Sequence, residues 1–135
     1  MTVAQAAVLL YVEDQILIQE TVVLDLRDAG YEVLVANSGK EALEQLDSSS
    51  GSIRGLVTDV NLGPGLDGWS IARRARELIP GLPVVYVTGK GEHEWTSKGV
   101  PHSVVIGKPF DPTQVVIVIS HLLDVTDAVG SPQPR

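Results

Sequence analysis

Charged and polar side chains stand at the ends of several short apolar runs in this sequence. In chain order they are Glu13, Asp14, Asp59, Thr88 and Lys108. Three carboxylates that lie close together repel one another, and each then tends to keep a proton. A divalent cation removes this repulsion, and Mg²⁺ in particular prefers oxygen ligands such as carboxylates, a backbone carbonyl and water. If the fold brings these residues together, their types predict a magnesium site.

A lysine and a hydroxyl beside such a site indicate phosphate chemistry. The metal, Lys108 and Thr88 could together hold three oxygens of a phosphoryl group. Neutralising charge and aligning the reactants is most of what phosphoryl transfer requires of a protein. A carboxylate placed in line can act as the nucleophile and become an aspartyl phosphate. The group contains neither imidazole nor thiolate, which disfavours zinc.

The composition narrows the class of protein. The chain has 135 residues, about the length of one domain, and a formal net charge of -7. Such an acidic chain is a poor candidate for direct nucleic-acid binding, which depends on Lys and Arg. The absence of cysteine excludes disulfides, thiolate metal sites and a cysteine nucleophile. We expect a single-domain cytoplasmic protein, because the sequence shows neither a signal peptide nor the roughly 20 apolar residues of a membrane span.

The apolar runs are typical of buried parallel strands. They are rich in β-branched residues and almost wholly apolar, which indicates burial on both faces of a sheet. The predicted strands are Val8–Val12, Val33–Ala36, Leu56–Thr58, Val84–Val87 and Val104–Ile106. Function in such a sheet collects at the carboxyl ends of the strands, where the polar residues above would meet. The second run ends in Ala36-Asn37, which we interpret as an edge without chemistry.

The segments between these strands have the periodicity of helices. Gln15–Ala29 places apolar residues on one helical face, and Ser38 begins a capping box that predicts a second helix. A third stripe of apolar residues includes Ile71, and a short fourth helix is predicted over Glu92–Ser97. Asp111 begins a fifth helix by its cap signal, although the apolar residues that follow favour a strand by propensity. Alternating strands and helices predict a doubly wound five-stranded parallel sheet with helices on both faces.

Taken together, these residues resemble the receiver domain of two-component response regulators. The likeness covers roughly Val8–Leu123 and rests on an acid pair after the first predicted strand, an Asp ending the third, a Thr ending the fourth and a Lys-Pro after the fifth. The resemblance implies the flavodoxin-like strand order 2-1-3-4-5. It also implies a receiver domain over residues 1–124, followed by a flexible C-terminal tail over 125–135.

The resemblance assigns a role to each polar residue. Asp59 would accept phosphate from a histidine kinase or a histidine phosphotransfer protein. Glu13 and Asp14 would hold Mg²⁺, with Asp14 the more direct ligand. Thr88 would bond one phosphoryl oxygen and Lys108 would pair with another.

Further properties of the chain also follow from the resemblance. The backbone carbonyl of Asn61 would bind the metal, and the Lys108–Pro109 bond would be cis. The protein would act as a phospho-acceptor with at most self-phosphorylation and self-dephosphorylation activity. It would signal through a downstream protein partner as a monomer or weak dimer, without contacting nucleic acid or membrane. One departure stands out, since Val105 occupies a position where the family usually has an aromatic residue.

Two other functions remain open on the sequence alone. A phosphatase of the haloacid-dehalogenase kind also uses Asp, Thr, Lys and Mg²⁺, but it needs a second Asp two residues after the nucleophile, where this chain has Asn61. A phosphate-independent protein-binding module on the same fold is favoured by the missing aromatic residue. Multiple turnover of phosphate esters would indicate the first, and partner binding that ignores a phosphoryl mimic would indicate the second.

Overall fold

A parallel sheet forms the centre of the molecule. The computed structural model describes residues 6–90 and 92–130. Its strands are β1 (Val8–Val12), β2 (Glu32–Ala36), β3 (Ile53–Asp59), β4 (Val84–Thr88) and β5 (Val104–Gly107). All neighbouring strands are parallel and lie in the order β2-β1-β3-β4-β5, which confirms the predicted flavodoxin-like topology.

Helices connect the strands and cover both faces of the sheet. They are α1 (Ile16–Asp28), α2 (Gly39–Ser49), α3 (Gly68–Leu78), α4 (Trp95–Lys98) and α5 (Pro112–Gly130). A 3-10 turn over Glu92–Glu94 leads directly into α4, so the fourth helix is as short as the sequence predicts. No helix in the described ranges is long and apolar enough to cross a bilayer.

Two apolar clusters, one on each face of the sheet, form the core. Leu10 and Val12 of β1 belong to the cluster that contains residues of α2 and α3. Leu9 and Tyr11 of the same strand belong to the cluster that contains residues of α1 and α5. Because successive side chains of a strand point to opposite faces and both faces are covered, β1 needs apolar residues throughout. This explains why the predicted strands have no alternating polar residues.

Strand β3 begins three residues earlier than the sequence predicts. The prediction was wrong there because exposed Arg54 and the small Gly55 interrupt the apolar run. Gly55 lies under a close contact between the sheet and the helix layer. A Cβ at this position would lie 2.8 Å from Leu9 Cδ2 and 3.3 Å from Ile119 Cδ1. The glycine therefore serves close packing of the strand, a use that propensity does not reveal.

Helix α5 forms despite the strand propensity of its first residues. Asp111 caps it, because the Thr113 amide donates to Asp111 Oδ1 at 2.9 Å and Gln114 Oε1 accepts from the Asp111 amide at 2.8 Å. The helix continues to Gly130, past the predicted domain boundary at residue 124. The last part of the predicted tail, residues 131–135, lies outside the described residues, so the tail and the domain boundary stay predictions.

Candidate functional site

The predicted site residues lie at the carboxyl edge of the sheet. Glu13 follows β1, Asp59 ends β3, Thr88 ends β4 and Lys108 follows β5. The strands that carry them are direct neighbours in the sheet, from β1 through β3 and β4 to β5. The parallel strands thus bring together residues that are up to 95 positions apart in the chain, the separation between Glu13 and Lys108.

Lys108 forms an ion pair with Asp59 at the centre of this edge. Its Nζ lies 2.9 Å from Asp59 Oδ2 and 3.8 Å from Glu13 Oε1. Both carboxylates are buried, with exposed fractions of 3% for Asp59 and 0% for Glu13. A charged pair in a buried position interacts more strongly than one at the surface, because the surrounding protein screens it less than water does. Lys108 therefore offsets part of the repulsion between the two acids.

The acids form a cluster that fits a divalent cation. One carboxylate oxygen from each of Glu13, Asp14 and Asp59 lies within 4.8 Å of the other two. Asp14 is exposed, whereas the other two acids are buried, so the cluster has a solvent-facing side. Oxygen-only donors with an opening to water match the preference of Mg²⁺, which binds through a few carboxylates and keeps several waters. The donor set of this chain therefore fits the metal that the sequence predicts.

Burial and the neighbouring acid change the titration of Glu13. Loss of solvation and the charge of Asp59 raise the pKa of Glu13 from 4.5 to about 7, although the Gln15 amide and Lys108 oppose this shift. The Gln15 amide donates to Glu13 Oε2 at 3.2 Å, and the Tyr11 hydroxyl donates to Oε1 at 3.5 Å. Burial also raises the pKa of Tyr11, so the phenol stays protonated and remains a donor to Glu13.

The remaining predicted residues complete the edge around Asp59. The backbone amide of Asn61 donates to Asp59 Oδ1 at 3.2 Å. Thr88 is buried, and its Oγ1 accepts from the Lys90 amide at 3.2 Å. The Lys108 amide donates to the Thr88 carbonyl at 2.8 Å, which ties the two loops together. The Lys108–Pro109 bond is cis, as the resemblance implies.

A glycine supports the backbone of Asp59 from below. Gly68 begins α3, and its amide donates to the Val60 carbonyl at 2.9 Å. A Cβ at Gly68 would overlap the Asp59 carbonyl oxygen and would lie 2.9 Å from Val60 Cα. Since no real Cβ contact is that short, only glycine fits here without movement of the backbone that carries Asp59. The Asp67-Gly68 pair by itself is typical of a turn and a helix start, so the sequence does not reveal this close contact.

An open cavity of about 500 Å³ gives access to these residues. A charged ligand of phosphate size has room in it. Residues at the carboxyl ends of β1, β3, β4 and β5 line it, and six of the seven are polar or charged: Gln15, Asp59, Asn61, Gly89, Lys90, Glu94 and Lys108. Buried Asp59 and half-buried Lys108 are both reachable from solvent through this opening.

Three residues that contact the site were not predicted from the sequence. Tyr11 is an apolar-run residue whose hydroxyl reaches Glu13. Gln19 Nε2 donates to the Glu13 carbonyl at 2.9 Å and to Asn37 Oδ1 at 2.7 Å. Asn37 had been interpreted as part of an edge without chemistry, and the structure instead joins it to the β1–α1 turn. The sequence signal for Gln19 was its position one helical turn after Gln15, the residue that follows the acid pair.

The position of the missing aromatic residue lies under the fourth connection. Val105 is half-buried in β5 and packs on the same core cluster as Trp95 of α4. The Trp95 indole Nε1 donates to Ser103 Oγ at 2.9 Å. A Cβ at Gly107 would lie 2.5 Å from Glu92 Oε1, so the Glu92 side chain lies against the end of the strand. The segment from Glu92 to Trp95 therefore covers the β5 face on which Val105 lies.

Comparison with known proteins assigns the chain to a family. The family model described as "response regulator receiver domain" matches residues 9–120. The chain belongs to this family. It is 32% identical over 117 residues to the response regulator receiver protein CpdR of Brucella abortus, with 85% of this chain and 95% of CpdR covered. Receiver domains are components of two-component signalling.

Solved receiver structures resemble the whole described domain. A crystal structure of a response regulator receiver protein from Sinorhizobium medicae is 39% identical, with a TM-score of 0.84 and coverage of 88% of this chain and 95% of that one. The sensor kinase CckA of Brucella abortus is 30% identical over 125 residues, which cover 90% of this chain and 13% of CckA. The chain thus spans a small part of CckA and almost all of CpdR.

Proposed function

We propose that this receiver domain accepts a phosphoryl group on Asp59 from a phosphohistidine of a histidine kinase or a histidine phosphotransfer protein. The observation that carries the proposal is the ion pair between buried Asp59 and half-buried Lys108, 2.9 Å apart, inside a cluster of three carboxylates. The ammonium group of Lys108 can therefore bond an oxygen of the phosphoryl group that the Asp59 carboxylate accepts.

The transfer step needs only groups that this site and its donor provide. An Asp59 carboxylate oxygen attacks phosphorus and forms a P–O bond, while the P–N bond of the phosphohistidine breaks and its electron pair returns to the imidazole. Lys108 and Thr88 bond the phosphoryl oxygens as Asp59 is modified. Mg²⁺ held by Glu13, Asp14, Asp59 and the Asn61 carbonyl would neutralise charge on the transferred group. The list of ligands for this metal is the one that the sequence predicts.

An apolar groove beside the site supports docking of a protein donor. The groove has a volume of about 610 Å³ and is lined by residues of α1 and of the β5–α5 loop. Lys108 and Pro109 belong to its lining, so the groove is continuous with the phospho-acceptor site. Leu17 lines it from α1 and is 80% exposed, so its apolar side chain is accessible to a partner. We propose that the helix bearing the donor histidine covers this groove during transfer.

Output through a protein partner is part of the same proposal. The chain covers 95% of the receiver protein CpdR, which supports output through contacts of the receiver domain itself. We therefore propose that the phosphorylated domain acts in the cytoplasm by binding another protein. Its acidic charge of -7 argues against direct output on nucleic acid.

Labelling with a small-molecule donor tests the proposed acceptor. The protein is incubated with Mg²⁺ and acetyl phosphate, and the adduct is followed by intact mass and by its lability to base. We expect one phosphoryl group on wild type and none on Asp59→Ala. Asp47→Ala, which removes an exposed acid from α2, is the matched control and should label like wild type. Equal labelling of Asp59→Ala and wild type would show that another residue is the acceptor.

A second experiment separates donor docking from chemistry. Leu17→Asp places a charge in the groove, whereas Leu24→Asp places one on the same helix at a residue that is also exposed, at 60%, but outside the groove lining. We expect Leu17→Asp to slow transfer from a phosphorylated histidine protein and to leave acetyl phosphate labelling unchanged. Leu24→Asp should affect neither. Normal transfer to Leu17→Asp would refute the docking surface and leave the acceptor proposal intact.

The two alternative functions make different predictions at the same site. Asn61 presents an amide where a haloacid-dehalogenase-like phosphatase needs a proton-donating acid, so we expect no rapid multiple turnover of phosphate esters. A phosphate-independent binding module is favoured by Val105 in place of the usual aromatic residue. It predicts partner affinity that does not respond to beryllofluoride, whereas the phospho-acceptor predicts an affinity that does.

A further inference from the structure

The Gln19 side chain connects the acid pair to the neighbouring loop of the sheet. Its Nε2 donates to the Glu13 carbonyl at 2.9 Å and to Asn37 Oδ1 at 2.7 Å. Both donor hydrogens of this amide are therefore used, one on the β1–α1 turn and one on the β2–α2 turn. The Gln19 side chain is half-buried, and its bond to the Glu13 carbonyl is partly protected from water, whereas its bond to Asn37 is exposed. Gln19 thus bridges two loops that the sheet itself connects only through backbone pairing.

The far end of this bridge is itself held in place. The Asn37 amide nitrogens of backbone and side chain donate to Glu41 Oε1 at 3.0 and 3.2 Å. The Glu41 amide in turn donates to Ser38 Oγ at 3.1 Å, the capping contact of α2. The orientation of Asn37 is therefore fixed by the first turn of α2. Gln19 transmits that fixed position to the Glu13 backbone.

The β1–α1 turn depends on the Gln19 bridge, because the start of α1 lacks, within the described part of the chain, a side-chain cap that would hold it. Gln15 occupies the N-cap of α1, and among the described residues its side chain makes no capping hydrogen bond. The Glu13 amide donates to the Ala36 carbonyl at 3.1 Å, so that backbone bond holds the turn at its amide. The Glu13 carbonyl is held by Gln19, just before the exposed Asp14. The direction of the Asp14 backbone therefore depends on Gln19.

We propose that Gln19 is a positioning residue that fixes the Glu13–Asp14 turn and so sets the affinity of the acidic cluster for a divalent cation. The proposal rests on the proposed function, because it assumes that the cluster binds Mg²⁺. Gln19 is not a ligand in this account. It acts through the Glu13 carbonyl, in the way that residues behind metal ligands commonly tune a site.

Magnesium titration of the full chain tests this role. Mg²⁺ binding is measured by calorimetry for wild type and Gln19→Leu, which keeps the side-chain bulk and removes both donors. We expect Kd for Mg²⁺ to rise about 10-fold, the lower end of the effect of removing a residue that orients metal ligands. Thr21→Val is the matched control on the same helix, since it removes a hydroxyl that, within residues 6–90 and 92–130, donates to the Leu17 carbonyl and not to the acidic turn. Its Kd should equal that of wild type.

A double-mutant cycle separates positioning from general destabilisation. Asn37→Ala removes the far anchor, so it should weaken Mg²⁺ binding, and adding it to Gln19→Leu should change Kd little further, because both act through one path. Urea unfolding without Mg²⁺ shows whether the variants remain folded under the titration conditions. If wild type binds Mg²⁺ and Gln19→Leu binds it with the same Kd, this proposal is overturned, but the proposed metal site is not. Wild type that binds no Mg²⁺ would overturn the proposed metal site and this proposal with it.

Discussion

The raised pKa of Glu13 predicts a pH dependence of stability with an unusual sign. In the folded protein without metal, burial and Asp59 raise the pKa of Glu13 to about 7, against 4.5 for an ordinary glutamate. Between these two values the folded state keeps a proton that the unfolded state loses. The folded state then binds more protons, so the free energy of unfolding falls as the pH rises. The contribution is fully present below pH 4.5 and is lost as the pH passes 7.

The size of this effect follows from the same two values. Each pKa unit corresponds to about 1.4 kcal/mol, so the difference between 4.5 and about 7 corresponds to about 3 kcal/mol. Glu13→Gln keeps the shape of the protonated acid and cannot ionise. Subtracting its pH profile from that of wild type cancels the titration of the three histidines and of the carboxyls that do not interact with Glu13. We expect Glu13→Gln to be about 3 kcal/mol more stable than wild type at pH 8, relative to their difference at pH 4.5.

Urea denaturation in the presence of a chelator measures this difference. Unfolding is followed by circular dichroism between pH 4.5 and 8 for wild type, Glu13→Gln and Glu44→Gln, an exposed carboxyl on α2 that serves as control. Added Mg²⁺ should reduce the pH dependence of wild type, because the cation favours ionised Glu13. Parallel profiles of wild type and Glu13→Gln without metal would refute the reasoning, since burial of Glu13 would then carry no titration cost.

Three further substitutions test other parts of the account. Gly68→Ala places a Cβ against the Asp59 backbone. It should therefore lower the free energy of unfolding by about 1–3 kcal/mol in urea and slow labelling by acetyl phosphate. Gly51→Ala is the control, because Gly51 has open space around it, and it should have neither effect. Lys108→Met removes the ammonium beside Asp59, and we expect the initial labelling rate to fall about 100-fold. Trp95→Phe removes the partly buried hydrogen bond from the indole to Ser103 Oγ. We expect it to lower the free energy of unfolding by about 1 kcal/mol in the same assay, and an unchanged midpoint would contradict this.

Sequence reasoning predicted the fold because the signals were local. A strand covered on both faces must be apolar throughout, so Val8–Val12 and Val84–Val87 stand out in the chain. The start of α5 was predicted at Asp111, because a capping residue followed by proline outweighs the strand propensity of the apolar residues after it. Gly55 escaped prediction because its role depends on Leu9 and Ile119, which are distant in sequence. Local patterns do not contain such close contacts between layers.

The candidate site likewise contains residues that the sequence predicts and contacts that it does not reveal. Residues that end strands, such as Asp59 and Lys108, were predicted because parallel strands bring their carboxyl ends together. The contacts of Gln19 and Asn37 were missed because they depend on how two loops approach each other. The burial of Glu13 beside an exposed Asp14 was also invisible, since adjacent acids look alike in a sequence. Spacing therefore predicts which residues converge, and the structure adds how each one is held.

A crystal structure with Mg²⁺ and beryllofluoride tests the central claim most directly, because it shows at once the acceptor, the metal and the residues around the phosphoryl mimic. We expect beryllium to be bonded to an Asp59 carboxylate oxygen and Mg²⁺ to lie among the carboxylates of Glu13, Asp14 and Asp59. We also expect the fluorine atoms to lie within hydrogen-bond distance of Lys108 Nζ and Thr88 Oγ1. Beryllofluoride bound at another residue, or Mg²⁺ held away from the acidic cluster, would contradict it.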